Sequence, residues 1–598
     1  MLRRHIIKRV AALPFAAVLA SPLKALAAAS GLRRRLRPSD PAWPSEERWE
    51  AFKRVIGGRL MKPRTVWAIC EAEPGTPQCS ASLKDLRNPF YLGDNPGGTQ
   101  VSGWLDAWTP KASAYAVAAR SSADVVEAVN FARRHNLRLV VKGGGHSYLG
   151  GSNAPDSLLI WTRAMNRIEL HDAFVPVGCT VPSVTAVTLE AGCMWIDAYT
   201  AVTTNAGRYV QGGGCASVGV AGLVQGGGFG SFSKCYGLAA ASLLQAEIVT
   251  ADGVLRTVNT CRDPDLFWAL KGGGGGSFGV ITKLTLRTHD LPGRFGFVGA
   301  KIKASSSEAY RRLVGRFVDQ YAENLFNPHW GEAFNLYKDQ IEVSMVCQGL
   351  DTDEAKTVWA PFFDWVRASP EEFTFVEDAY VGTSSAQGWW NLKKNPAMIL
   401  DQRPDAAPGH GWWRGDQDQV SLFLHGYDSQ WLPASLLQSG ERTRLVDALV
   451  AASQPMVVRL HFNKGLAGAS PEVNAAARRL ATNPAVADAF CLAIVATGGR
   501  PPFPGLPGPK PDLAEAHRNA ENVAQAAAGL KKVAADGGSY ISETDFFRRD
   551  WRSDFWGQNY PRLKVIKDRY DPDGFFFVHH GVGSEDWSPD GFTRIAAG

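Results

Sequence analysis

The stretch Lys142-Gly143-Gly144-Gly145-His146-Ser147-Tyr148 decides how this chain folds, read together with Gln211-Gly212-Gly213-Gly214-Cys215-Ala216-Ser217-Val218-Gly219. Each segment places one nucleophilic side chain at the end of a glycine run. Glycine lacks a Cβ and tolerates positive φ, so the backbone there can lie flat against a ligand. An imidazole and a thiol on two such loops suit a flat aromatic cofactor gripped at two points. Taken singly, a histidine after glycines is ordinarily a turn residue, and a lone cysteine is a small buried hydrophobe. The weight lies in the pair and in its setting.

That setting reads as β-α-β-loop. Tyr115 to Ala119 is a short apolar run, and Ser121 offers a helix N-cap with Asp124 three residues on. Val125, Val129 and Ala132 then follow at the spacing of one buried helical face. The helix ends near His135-Asn136, and Leu137 to Val141 forms a second strand running into the glycine loop. Such a unit aims several backbone N–H groups at one place, as a pyrophosphate requires. Gly274-Gly275-Gly276-Ser277-Phe278-Gly279 formally matches the dinucleotide fingerprint G-x-G-x-x-G. That fingerprint needs a strand before it and a helix after it. Here Asp265 to Leu270 reads as a helix and Val280 to Leu286 alternates like a strand, so the order is reversed and nicotinamide binding by this segment is rejected. Ala246 to Gly253 is a strand ending in an Asp-Gly hairpin turn.

These segments resemble the vanillyl-alcohol-oxidase / p-cresol-methylhydroxylase (PCMH-type) flavoproteins, and within them the berberine-bridge-enzyme branch. The match runs from about Ala112 to Thr288 and returns at Tyr540 to Trp587. The resemblance implies FAD held bicovalently, His146 bonding the flavin 8α-methyl carbon and Cys215 bonding flavin C6. It implies further FAD contacts from Lys142, Gly143, Gly144, Gly145 and Ser147 on the first loop. Ser217, Val218, Gly219 and Gly222 would contribute from the second, with Val280 beyond them. Asn559 and Tyr560, in the closing Phe555-Trp556-Gly557-Gln558-Asn559-Tyr560-Pro561-Arg562-Leu563 segment, would touch the isoalloxazine. The implied fold is α+β: a PCMH-type FAD domain of two subdomains, a substrate domain with an antiparallel sheet covered by helices, and a C-terminal tail returning to the FAD domain.

Alcohol oxidation needs a base within hydrogen-bond reach of the substrate hydroxyl. In many relatives this is the second tyrosine of an (A/S)-Y-x-N-Y-x-D segment. Here the segment reads Ser539-Tyr540-Ile541-Ser542-Glu543-Thr544-Asp545, so Glu543 stands at that position. Read as a strand, it puts Tyr540 and Glu543 on opposite faces, with Glu543 the favoured base. Val218 matches a position that gates oxygen access in plant relatives. Arg459, His461 and Asn463 share one face of a strand end, and His461, Asn463 and Lys464 are candidate substrate contacts. His425 ends the preceding strand candidate, and Trp389-Trp390 and Trp412-Trp413 offer stacking surfaces or core packing.

The chain has 598 residues, enough for two or more domains, with 45% apolar residues, 19 Trp and a net charge of +6. It shows no basic stripe interleaved with aromatics, which argues against nucleic acid. Arg3-Arg4-His5-Ile6-Ile7-Lys8 resembles a twin-arginine signal, followed by an apolar stretch and Ala25-Leu26-Ala27 for cleavage before Ala28. This predicts folded export by the Tat translocase to a bacterial periplasm or exterior, without stable membrane insertion. Cys70 and Cys79 bracket a Pro-Gly loop and are expected to pair, and Cys179 with Cys193 is a second candidate pair. The expected segments are a leader (1–27), an irregular extension (28–111), an FAD domain (112–291), a substrate domain (292–536) and a tail (537–598). In the substrate domain, strands are expected at 340–348, 419–426 and 456–463 and helices at 306–324 and 471–480. The reading is an oxidase passing electrons from an alcohol-type C–H (sugar or aromatic) to O2, giving H2O2. A dehydrogenase using a quinone or cytochrome and a non-catalytic flavin scaffold are the alternatives.

Overall fold

In a computed structural model, every residue is described except 1–32, 502, 504, 505, 507–509 and 596–598. The export signal lies outside the described residues. Tyr115–Ala118, Ser157–Trp161 and Arg138–Lys142 form a parallel array. The intervening helix Ser122–Arg134 begins in the predicted capping box of Ser121 and Asp124, and buries Val125, Val129 and Ala132. A second sheet of five antiparallel strands follows, ordered Ile168–Phe174, Val184–Glu190, Val280–Arg287, Leu243–Val249, Leu255–Asn259. Its last pair is the predicted Asp-Gly hairpin. Pro264–Ala269 is helical and precedes the strand at Val280, the reversed order on which the dinucleotide fingerprint was rejected.

The third sheet has seven strands, in the order Phe373–Ser385, Arg294–Ala304, Gln340–Gln348, Trp330–Leu336, Val458–His461, Ala489–Gly499, Phe423–Pro433. Helices Ser307–Gln320, Thr352–Arg367, Arg442–Ser453 and Leu513–Val533 pack on one face of it, around Leu313, Phe317, Trp359, Leu449 and Leu530. Strand 340–348 lies where it was read, whereas the other two are Phe423–Pro433 and Val458–His461. Residues 540–595 return to the first unit: Phe576 bridges Leu139 on the parallel sheet, and Thr593 bridges Arg34.

Two expectations fail. The extension is not irregular: Glu46–Val55 is a helix capped by Ser45, whose Trp49 and Phe52 stack on Tyr115 and Phe131. Leu60–Met61 then adds an antiparallel strand to the parallel sheet. The spacing of Trp49, Phe52 and Ile56 is a helical face obscured by the surrounding prolines. Cys70–Cys79 is a disulfide as expected, but Cys179 pairs with Cys261, not Cys193. Loop 175–183 folds over the end of strand Leu255–Asn259, where the Asn259 amide donates to the Val177 carbonyl at 3.0 Å. Cys193 is instead fully buried beside the Arg167 carbonyl. Because this crosslink closes a loop of 82 residues, Cys179→Ser with Cys261→Ser should lower unfolding free energy by about 2–4 kcal/mol, measured by urea titration. Stability unchanged within error would show that the crosslink constrains nothing.

Candidate functional site

The helix-free face of the seven-stranded sheet looks across a cavity of about 1830 Å³ at the two glycine loops. Single-ligand pockets run to roughly 1,000 Å³. There is room here for a cofactor and a substrate together.

The two loops touch through their backbones. A Cβ on Gly144 would lie 2.8 Å from the Gly219 nitrogen and 2.9 Å from the Ser217 carbonyl oxygen. A Cβ on Gly219 would lie 2.9 Å from the Gly144 nitrogen. Gly145 takes φ +80°, a conformation that glycine adopts without strain. His146 Nε2 and Ser217 Oγ are 3.1 Å apart, a hydrogen bond that joins the loops through side chains as well. Burial lowers the His146 pKa to about 4, leaving its imidazole neutral. Burial raises the Cys215 thiol, and the neighbouring Asp416 carboxylate pushes it further the same way.

Gly143, Ser147, Ser217, Val218 and Gly222 line the same cavity. The Ser147 hydroxyl accepts from the Gly151 amide at 3.0 Å and so closes the loop beyond His146. Around Gly222 a Cβ would meet nothing within 4 Å, leaving open space over the backbone. The Gln225 Oε1 and Asn153 Oδ1 atoms are buried on the cavity wall without a protein hydrogen-bond partner. Bare glycine backbone, orphaned polar atoms, one imidazole and one thiol around one cavity fit a dinucleotide flavin.

Several predicted residues do other work. Lys142 lines the cavity, and its buried ammonium donates to main-chain carbonyls, including Gly98 at 2.6 Å, so it also fastens segment 92–98 beneath the loop. Val280 is fully buried in its strand, in the core of the parallel sheet, and does not line the cavity. Asn559 donates to the Leu480 and Thr482 carbonyls, and Tyr560 hydrogen-bonds Glu585; neither reaches the cavity. His425 is held by Asn519 on the helix side. Tyr540 and Glu543 sit on a turn, not a strand, closed by Glu543 N–H donating to the Tyr540 carbonyl at 2.9 Å. Both line the cavity.

Along Val458–His461 the alternation holds: Arg459 and His461 face the cavity while Val458 and Leu460 face the helices. Asn463 and Lys464 follow on a single tight turn and also line it. Lys464 Nζ lies 2.6 Å from both Glu543 carboxylate oxygens. Trp389, Trp390 and Trp413 form part of the wall, whereas Trp412 is buried in the core.

Sequence reading missed two carboxylates. Glu332 pairs across the sheet with Met345, whose side chain lies in the helix-side core beside those of Trp330 and Phe334. Register therefore assigns Glu332 to the helix side. Its φ of +65° instead turns the carboxylate into the cavity, where it accepts from the Ser231 hydroxyl. Such a conformation costs about 1–3 kcal/mol in a non-glycine residue. Burial raises the Glu332 pKa. Asp416 lies on the 3₁₀ segment Arg414–Gln419, and Cys215 Sγ donates to its Oδ1 at 3.4 Å. No pattern marks either one, since a left-handed φ in a strand and a hairpin docked from afar leave no periodicity.

Residues 113–259 match the FAD binding domain family, and residues 539–583 match the berberine and berberine-like family. The chain is 30% identical to the FAD-linked oxidoreductase malF of Malbranchea aurantiaca, with 94% of each chain covered. It is 27% identical to the VAO-type flavoprotein oxidase VAO615 of Thermothelomyces thermophilus, over 94% of this chain and 95% of that one. Among solved structures, the VAO-type flavoprotein MtVAO615 of Myceliophthora thermophila superposes with a TM-score of 0.75 at 24% identity, covering 94% of this chain and 100% of that chain. The glucooligosaccharide oxidase of Acremonium strictum, described as carrying 6-S-cysteinyl, 8α-N1-histidyl FAD, superposes at 0.61 with 19% identity, over 81% of this chain and 94% of its own. These relatives are fungal, which overturns the assignment to a bacterial periplasm and to bacterial Tat export drawn from Arg3-Arg4. The fold, the matched segments and the whole-length relatives make the chain a member of the vanillyl-alcohol-oxidase-type FAD-linked oxidoreductases, with a berberine-bridge-like C-terminal segment.

Proposed function

We propose that this FAD-linked oxidoreductase is an oxidase of alcohol-type C–H groups in sugars or aromatic alcohols, with bicovalent FAD and with O2 as the acceptor, reduced to H2O2. The observation that carries the reading is the meeting of His146 and Cys215 in one cavity, on loops whose backbones touch. On this reading residues 112–291 hold the cofactor, 292–536 the substrate, and 537–598 close the first unit. FAD, when bound, supplies the hydride acceptor.

The protein's own groups do the rest. The neutral His146 presents a free nitrogen lone pair at pH 7, as bond formation to carbon requires. Glu543, oriented by Lys464, takes the proton of the substrate hydroxyl at a carboxylate oxygen. Burial raises the Tyr540 phenol, which stays protonated and donates rather than accepts. Arg459, His461, Asn463 and Lys464 present polar atoms to the substrate, and Trp389, Trp390 and Trp413 offer it apolar faces. One observation favours a second base. Glu332 faces the cavity and binds Ser231 and Asn463 only through Oε1, and burial raises its pKa.

Three measurements test the proposal. Acid-denatured protein should keep its flavin, with an intact mass one FAD above the bare chain. His146→Ala or Cys215→Ala should each leave one bond, and the double variant should release the flavin. Complete loss of flavin from wild type in acid would overturn bicovalent attachment.

For the base, Glu543→Gln should slow anaerobic flavin bleaching by substrate about 100- to 10,000-fold, with a smaller effect from Glu332→Gln. The opposite ranking moves the base to Glu332. No bleaching of wild type with any alcohol or sugar leaves only a flavin scaffold.

Val218 stands on the second loop beside Cys215 and lines the cavity. Valine leaves space for dioxygen that a longer side chain would fill. Val218→Leu should slow reoxidation by O2 and leave anaerobic reduction nearly unchanged, because one methylene changes packing by only about 1 kcal/mol. Stopped-flow records of both half-reactions decide it. Equal loss in both removes Val218 as a gate, and substrate bleaching without peroxide identifies a dehydrogenase.

A further inference from the structure

Asp416 reaches Cys215 from a part of the chain remote from either glycine loop. It follows the two-stranded hairpin Met398–Leu400 and Gly411–Trp413, which belongs to none of the larger sheets. A charged network fixes that hairpin against the extension and the first unit. Arg403 Nη2 donates to Asp401 at 2.8 Å and to Asp94 at 2.7 Å, Asp94 also accepts from Arg163 at 2.8 Å, and Asn88 donates to Asp401 at 2.8 Å. The segment carrying Asp416 is therefore held in place independently of the thiol that it meets.

At the end of this hairpin, Asp416 Oδ1 accepts from Cys215 Sγ at 3.4 Å, and Asp416 Oδ2 is buried with no hydrogen-bond partner. A buried carboxylate oxygen without a partner is costly and calls for a reason to be there. We propose that Asp416 is the general base that takes the Cys215 proton when the cysteine bonds the flavin. This rests on the bicovalent reading above.

The atoms and electrons balance as follows. The Cys215 S–H bond breaks, and its proton passes to the Asp416 carboxylate. The sulfur electron pair forms the bond to flavin C6, the hydrogen on C6 leaves as a second proton, and two electrons pass to dioxygen, which becomes hydrogen peroxide. The thiolate is the nucleophile in such a bond, not the thiol. Burial disfavours that thiolate, so the proton needs an acceptor already in contact. Burial also raises Asp416 to about 7, close to the balance point for taking a proton and releasing it at neutral pH.

Asp416→Asn separates a base from a positioning group, because the amide oxygen still accepts from the thiol and takes no proton. Protein produced without oxygen is exposed to air, and the Cys215 and His146 peptides are followed by mass spectrometry, with iodoacetamide trapping free thiol after denaturation. In wild type both peptides gain flavin. In Asp416→Asn the His146 bond should form normally, while the Cys215 bond forms about 100-fold more slowly, and Asp416→Glu should restore part of the rate. Cys215 linkage in Asp416→Asn at the wild-type rate and extent overturns the proposal. Asp416→Ser carries the same two outcomes where the amide variant does not accumulate as folded protein. Free Cys215 beside a flavinylated His146 in wild type would instead overturn the second covalent bond itself, and the role of Asp416 with it.

Discussion

The site depends on one close approach, the backbone of Gly144 against Gly219. No side chain fits between the loops, so they meet only because both positions are glycine. From that contact His146 and Cys215 acquire a common cavity, and the Ser217 hydroxyl gains reach to the imidazole. The same demand recurs behind the second loop, where the Trp195 ring fills the volume that a Cβ on Gly212 would need. A bulky core residue thus presses the loop forward from behind while the first loop limits it from the front.

The seven-stranded sheet supplies the opposing wall by simple alternation. Residues on one side of the strands join a helix-covered core of Leu, Val, Phe and Trp; on the other side some, such as Phe295 and Trp431, pack on the first unit, and others, such as Arg459 and His461, line the cavity. The packed face fixes the strands, so the polar face need not stabilise anything. That division lets charged groups such as Arg459 and the Lys464–Glu543 pair stand in a buried space without weakening the domain that presents them.

Legibility followed the range of the forces involved. The parallel unit, its capped helix and the hairpin at Asp252-Gly253 were readable because capping, periodicity and turn chemistry act within a few residues. His146 and Cys215 were readable as a pair because glycine runs announce close approach. Lys142 lines the cavity, but its further role was not legible: its ammonium is bound by carbonyls of residues 92–98, which no local pattern connects to it. Tyr540 and Glu543 were misread because a turn, not a strand, carries them, so both reach the cavity. Cys179 found Cys261 through the path of a loop over a strand end, and sequence spacing does not encode that path.

Glu332 and Asp416 belong to a third kind. Each is placed by a feature that runs against its local pattern: a left-handed residue inside a regular strand, and a hairpin outside every large sheet. The left-handed backbone of Glu332 costs stability, and each carboxylate is held in place by its surroundings. Gly331 next to Glu332 lets the Ser231 carbonyl approach so closely that any Cβ there would collide with it, and Ser231 in turn binds the carboxylate. The Arg403 network does the same for the hairpin of Asp416. Where a fold turns a carboxylate toward a cavity and then fastens it from a second direction, packing alone does not account for the arrangement. In this chain both carboxylates so placed face the same space as the flavin-matching thiol.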